Sequence, residues 1–195
     1  SMLIPAKNYQ ELVLQAYSGE NESSFNSASR DDLMGGAFYR SVYENSPEGT
    51  FEFNLTHLQG ENREEGYTKL YNLTLISKWR PLAQSTYRSY NWVLEYSRAE
   101  KTGAVSEAHE GGVATWFQYQ FEKRWWTQLR AEYFGLPKPT TGLLEKYSLL
   151  VAFVPTEFSA IRFQYDDILS ETAETEQRFL VQLNITMGPH PAHEY

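Results

Sequence analysis

The final stretch of the chain, Arg178-Phe179-Leu180-Val181-Gln182-Leu183-Asn184-Ile185-Thr186-Met187-Gly188, alternates between oily and polar residues. Phe179, Val181, Leu183, Ile185 and Met187 share one face of an extended segment, and Arg178, Gln182, Asn184 and Thr186 share the other, with Leu180 the exception. Side chains point to opposite faces of a strand with a period of two, so this segment has an oily side and a wet side. Its length, about ten residues, is what a tilted strand needs to cross a bilayer. The pattern constrains the fold because the rest of the chain repeats it.

Read for the same period, the sequence predicts strands at residues 9–18, 37–44, 50–58, 67–79, 86–98, 113–121, 126–134, 146–154, 158–166 and 178–188. Phe51, Phe53 and Leu55 oppose Glu52, Asn54 and Thr56, and Tyr90, Trp92, Leu94 and Tyr96 oppose Asn91 and Glu95. The first segment also fits a short helix over residues 11–17. Tight turns at 45–49, 80–85, 122–124 and 155–157 alternate with longer polar loops at 19–36, 60–66, 99–112, 135–145 and 167–177. Pro81 marks one turn, because it has no N–H to give to a ladder.

An even number of antiparallel strands, longer than the usual five or six residues, joined by short turns and long loops in alternation, is the pattern of bacterial outer-membrane barrels. The expected fold is therefore all-β: an antiparallel up-and-down transmembrane β-barrel of about ten strands, with short periplasmic turns and long outer loops. Residues 1–195 form a single domain, complete in itself or the C-terminal portion of a longer barrel. If ten strands close alone, the last must pair with residues 9–18.

Composition excludes several alternatives. No apolar run approaches the roughly eighteen residues of a membrane-spanning helix. A net charge of −8 and a pI near 5.1 exclude nucleic acid as a partner, since phosphate binding needs concentrated Lys and Arg. Cysteine is absent, which rules out disulfides, thiolate metal sites and a Cys nucleophile. The opening Ser1-Met2-Leu3-Ile4-Pro5 has neither a basic nor a long apolar region, so an exported form has already lost its signal peptide, and Ser1-Met2 reads as a cloning remnant.

A soluble ligand-binding barrel or sandwich would show the same alternation with its apolar face inward. Two features favour lipid on that face. The opposite face is rich in Asn, Gln, Thr, Glu and Arg, as a hydrated lumen requires. Aromatics also gather toward strand ends, at Trp79, Tyr87, Trp92, Trp116, Trp125, Trp126, Phe134, Tyr147 and Phe158, as in the girdles at membrane interfaces.

Three segments carry a family likeness: Lys78-Trp79-Arg80-Pro81-Leu82 with Tyr87-Arg88-Ser89; Pro155-Thr156-Glu157-Phe158-Ser159 with Arg162-Phe163-Gln164-Tyr165; and the ending Gly188-Pro189-His190-Pro191-Ala192-His193-Glu194-Tyr195. From about Tyr9 to Tyr195 the chain resembles an uncharacterised family of Gram-negative outer-membrane barrels, some of whose members bear a zinc-regulated or TonB-dependent-receptor-like label. The resemblance implies a membrane barrel and leaves its activity open. Members of that family are usually longer, with strands upstream. Neither a plug domain nor a TonB box is visible here, so energised transport is not carried over.

The candidate site is the polar face. Glu52, Asn54, Glu95, Arg130, Glu132, Arg162, Gln164, Arg178, Gln182 and Asn184 are the expected lumen-lining residues. In a narrow barrel such charges pair with one another, and in a wider one they line an aqueous path. His190 and His193 are candidate metal ligands, but zinc takes about four and this tail supplies part of a set. His57 and His109 stand alone, the latter in a polar loop. The acid pairs Asp31-Asp32, Glu64-Glu65 and Asp166-Asp167 lie in or beside loops, without the spacing of a catalytic site. Asn54-Leu55-Thr56, Asn72-Leu73-Thr74 and Asn184-Ile185-Thr186 match the glycosylation pattern but sit inside strands.

The functional expectation is a channel or transport-related protein of the bacterial outer membrane for small solutes or ions, in contact with outer-membrane lipid. No enzymatic activity and no cofactor are expected. The alternative is a filled structural or binding barrel that presents acidic loops to a partner.

Overall fold

Extended segments of ten or more residues with one apolar and one polar face satisfy their backbone groups by pairing side by side. In the computed structural model they do so as one antiparallel sheet. The structure describes residues 2–3, 8–18, 24–25, 33–62, 64, 66–103, 107–137, 142–156 and 158–186. The strands are β1 (Met2–Leu3), β2 (Tyr9–Ser18), β3 (Leu33–Ser46), β4 (Gly49–Glu61), β5 (Tyr67–Trp79), β6 (Ser89–Thr102), β7 (Glu107–Glu122), β8 (Trp125–Phe134), β9 (Leu144–Thr156), β10 (Ser159–Ser170) and β11 (Glu176–Ile185). Their order in the sheet is their order in the chain. A short 3-10 helix, Leu82–Gln84, follows Pro81 in the β5–β6 connection.

All ten expected strands are present, from β2 to β11, and residues 9–18 are strand and not helix. The expected long loops are all shorter than the sequence implied, two of them markedly. β6 runs on to Thr102 and β7 begins at Glu107, where a loop was expected over 99–112, and β10 extends through Asp166 and Asp167 to Ser170. At this end both faces carry polar residues, so the contrast between faces fades while pairing continues, as at Glu100 opposite His109.

Register places one residue from each of β2 to β11 in a single row across the sheet: Tyr9, Val42, Glu52, Ile76, Val93, Trp116, Arg130, Ser148, Asp166 and Arg178. Residues paired in this way point to the same face. The sheet curls around that polar face. Among the described strand residues, the buried side chains Thr68, Val93, Gln120, Glu132, Ala152 and Asp166 all lie on it. Large exposed apolar side chains such as Leu55, Phe117, Leu129, Leu149 and Phe163 lie on the other.

The expected pairing of the last strand with residues 9–18 is not formed among the described residues. β11 pairs with β10 alone, and its Phe179, Val181 and Leu183 are 82%, 71% and 62% exposed. The outer edge of β2 is instead partly taken by β1, with Met2 opposite Leu12 and Leu3 opposite Glu11. The sheet is thus a curled meander with an open seam between β11 and β2.

Candidate functional site

Alternation brings all ten expected lining residues to the polar face, and the register shows which of them meet. Arg130 Nη2 lies 2.6 Å from Glu132 Oε1 on β8. Lys146 of β9 sits between Glu132 Oε2 at 3.9 Å and Asp166 Oδ2 of β10 at 3.4 Å. Gln164 Nε2 then donates to Asp166 Oδ1 at 2.7 Å. This chain of alternating charge crosses three strands. Glu132 and Asp166 are only 7% and 2% exposed, and carboxylates this buried persist only when paired and hydrogen-bonded. The Arg130 guanidinium also lies over the Trp116 ring, 5.3 Å from its centroid.

A second cluster lies on β3 and β4. Arg40 contacts both carboxylate oxygens of Glu52 at 3.0 Å, and Asn54 Nδ2 donates to Glu52 Oε1 at 2.9 Å. On β5 and β6, Asn72 Nδ2 donates to Glu95 Oε1 at 2.8 Å and to Ser97 Oγ at 2.9 Å, while Thr74 Oγ1 donates to Asn72 Oδ1. Glu95 has no cationic partner among the described residues. On β11, Arg178 pairs with Glu176 of its own strand at 2.5 Å, and Gln182 Nε2 donates to Asn184 Oδ1 at 2.9 Å.

A cavity of about 690 Å³ opens on this face. Asn72, Glu95, Glu110, Arg130 and Glu132 supply its polar wall, and Leu58, Leu70 and Phe134 its apolar wall. Its floor depends on Gly112, opposite Phe134 in register: a Cβ there would stand 2.9 Å from Phe134 Cδ1, so any larger residue would displace the ring. Nearer the short-turn end, a smaller cavity of about 260 Å³ is lined by Gln118, Trp126, Gln128 and Arg162. Arg162 makes no ion pair among the described residues. Phe25 is buried against Gly60 of β4; a Cβ on Gly60 would lie 2.8 Å from the Phe25 ring.

The opposite face carries an aromatic band near the short turns. Trp79 stacks on Tyr90 at 5.7 Å, Tyr90 packs on Phe117 at 5.6 Å, and Phe117 stacks on Tyr119. Phe121, Trp125 and Phe153 continue it. Midway along the strands, Trp92 Nε1 donates to Thr115 Oγ1 at 3.0 Å, so the one polar atom of that indole is satisfied within the sheet. Toward the long loops, Tyr133 and Tyr147 share a hydrogen bond of 2.5 Å, and Tyr147 donates to Glu145.

Several expectations need correction. Trp116, Trp126 and Phe134, assigned to the outer girdle, fall on the polar face, because each pairs in register with a polar-face partner: Arg130, Gln120 and Gly112. His57 is not isolated; it stacks on Tyr71 at 4.8 Å. His109 lies within β7 and not in a loop. Asp166 is a buried strand residue. His190 and His193 lie outside the described residues, and among those described no group of three or more His, Asp or Glu side chains is placed to hold a metal. Arg40 and Lys146 were not among the expected lining residues, although each stands at a polar-face position of its strand and the period of two could have found them.

Comparison with known proteins adds one relative. An uncharacterized protein of Aquifex aeolicus (strain VF5) is 26% identical over 162 residues, covering 72% of this chain and 34% of that protein. The chain thus spans about a third of the length of the relative it matches. No protein-family model and no solved structure matches the chain.

Proposed function

We propose that the chain forms an outer-membrane β-barrel whose polar face lines a path for small polar solutes or ions. One observation carries this reading: the sheet curls with its polar face inward and leaves an apolar, aromatic-banded face exposed. Apolar side chains such as Phe179, Val181, Leu149 and Phe163 are costly in water and at home in hydrocarbon. An outward apolar band with an aromatic girdle and a polar interior is the arrangement a lipid-embedded barrel needs.

The polar face favours passage over a sealed filling. Among the described residues Asn54 Oδ1 and Asn91 Oδ1 are buried without a hydrogen-bond partner, and buried polar atoms are ordinarily satisfied by something, here water or a passing solute. Glu95 faces the larger cavity and Arg162 the smaller, each without an opposite charge in contact. Unpaired charges along a narrow path set ion selectivity. Purified protein folded into planar phospholipid bilayers should give discrete single-channel conductance. Correctly folded, membrane-inserted protein without conductance would sink the channel reading.

The cavity of about 690 Å³ favours a second reading, a barrel that binds a small molecule, since ligand pockets are typically about 300–1,000 Å³ with a few convergent polar groups. Its mark would be saturable block of conductance by a solute, or saturable binding with no conductance at all.

A further inference from the structure

Backbone N–H and C=O groups have no partners in hydrocarbon, so an unpaired strand edge is not tolerated in a membrane. β11 offers such an edge, and β2 offers another beyond the two residues held by β1. The two strands run antiparallel, because each neighbour in the sheet reverses direction and nine steps separate them. Closure between them joins even to odd, as an antiparallel barrel of ten strands requires.

The register fixes where they meet. The row that begins at Tyr9, at the short-turn end of β2, arrives at Arg178, near the long-loop end of β11. A row therefore climbs as it circles, and on closing it must land further along β2 by the stagger of the barrel. With strands tilted by about 35–45°, spaced about 4.8 Å apart and rising about 3.3 Å per residue, ten strands need a stagger of about 10–14 residues. Only even values keep the oily face against the oily face. Ten, twelve and fourteen put Ile185 opposite Leu12, Leu14 and Ala16 respectively.

The position of β1 selects among the three. Glu11 is already paired with Leu3, and a stagger of ten would carry Thr186 onto it and evict β1. Fourteen leaves only the end of β2, Ala16 to Ser18, for β11. Twelve sets Leu14 to Ser18 against Ile185 to Val181 and leaves β1 in place. Resting on the membrane-barrel reading, we infer that the free edge of β11 docks on the β2 edge of the same chain, with Ile185 opposite Leu14, Leu183 opposite Ala16 and Gln182 opposite Tyr17. The oily residues then continue the outer face, where Leu14 is itself 72% exposed, and Gln182 and Tyr17 continue the polar one.

The chain has no cysteine, so engineered pairs report without background. Directly opposed residues on antiparallel strands have Cβ atoms about 4.5–5.5 Å apart, close enough for a disulfide after slight adjustment. The double variants L14C/I185C, L12C/I185C and A16C/I185C, with the single variants as controls, are folded into phosphatidylcholine vesicles and oxidised. Vesicle flotation and migration on non-reducing gels are then read on the same samples. The expected result is an intramolecular link in L14C/I185C, forming at least tenfold faster than in the other two. Disulfide-linked dimers, faster linking in either other pair, or no link in floating protein would overturn the register and leave the membrane reading standing. A link at L14C/I185C in protein that fails to float would uphold the register and overturn the membrane reading. Neither link nor flotation would overturn both.

Discussion

Glu132 is the carboxylate on which two cations converge, Arg130 at 2.6 Å and Lys146 at 3.9 Å. Truncating it leaves Lys146 with Asp166 alone and Arg130, whose side chain is 41% exposed, without its acid. Glu132→Ala should cost about 1 kcal/mol, because the cations it leaves are partly exposed and water screens them, read as a lower urea midpoint of vesicle-folded protein. Glu95 is a different case, because among the described residues its one strong contact is the Asn72 amide and its charge faces the cavity. Glu95→Gln should leave the urea midpoint nearly unchanged while lowering the cation-over-anion permeability ratio, read from reversal potentials under a salt gradient. An unchanged ratio would remove Glu95 from the path. Which residues share the polar face was legible from the sequence for all ten candidates, since alternation along a strand is local. Their partners were not: Lys146 meets Asp166 only because the β9–β10 register puts their strands' polar positions side by side.

At the scale of the strand, the two faces should respond oppositely to charge. Leu149 lies midway along β9 on the apolar face and is 45% exposed. Leu149→Arg should destabilise the inserted protein by about 2–4 kcal/mol, the cost of an arginine near the bilayer midplane, again read from the urea midpoint in vesicles. Gln128→Arg, on the polar face of β8, should cost far less and alter conductance instead. Equal sensitivity at the two positions would contradict lipid on the apolar face. Strand existence was legible from β2 to β11, though not for β1, and β5 was placed to the residue. Boundaries failed where both faces are polar, as from Ala99 to Gly112. There the ladder persists with no contrast between faces to announce it.

At the scale of the whole molecule, the open seam and the exposed apolar face belong to one problem. A curled sheet with an unpaired edge and an oily exterior is poorly suited to water, and closing that edge in lipid satisfies both. Conductance tests the path, and cysteine pairs test the seam.

By itself the sequence determined the all-β class, the chain order of ten long antiparallel strands and the division of side chains between two faces. These are consequences of a period of two and of turn chemistry, both read within a few residues. Only the tertiary structure decided that the polar face turns inward and that β1 takes part of the edge of β2 while the outer edge of β11 stays unpaired among the described residues. Curl and register accumulate over every neighbouring pair of strands, so no single segment contains them.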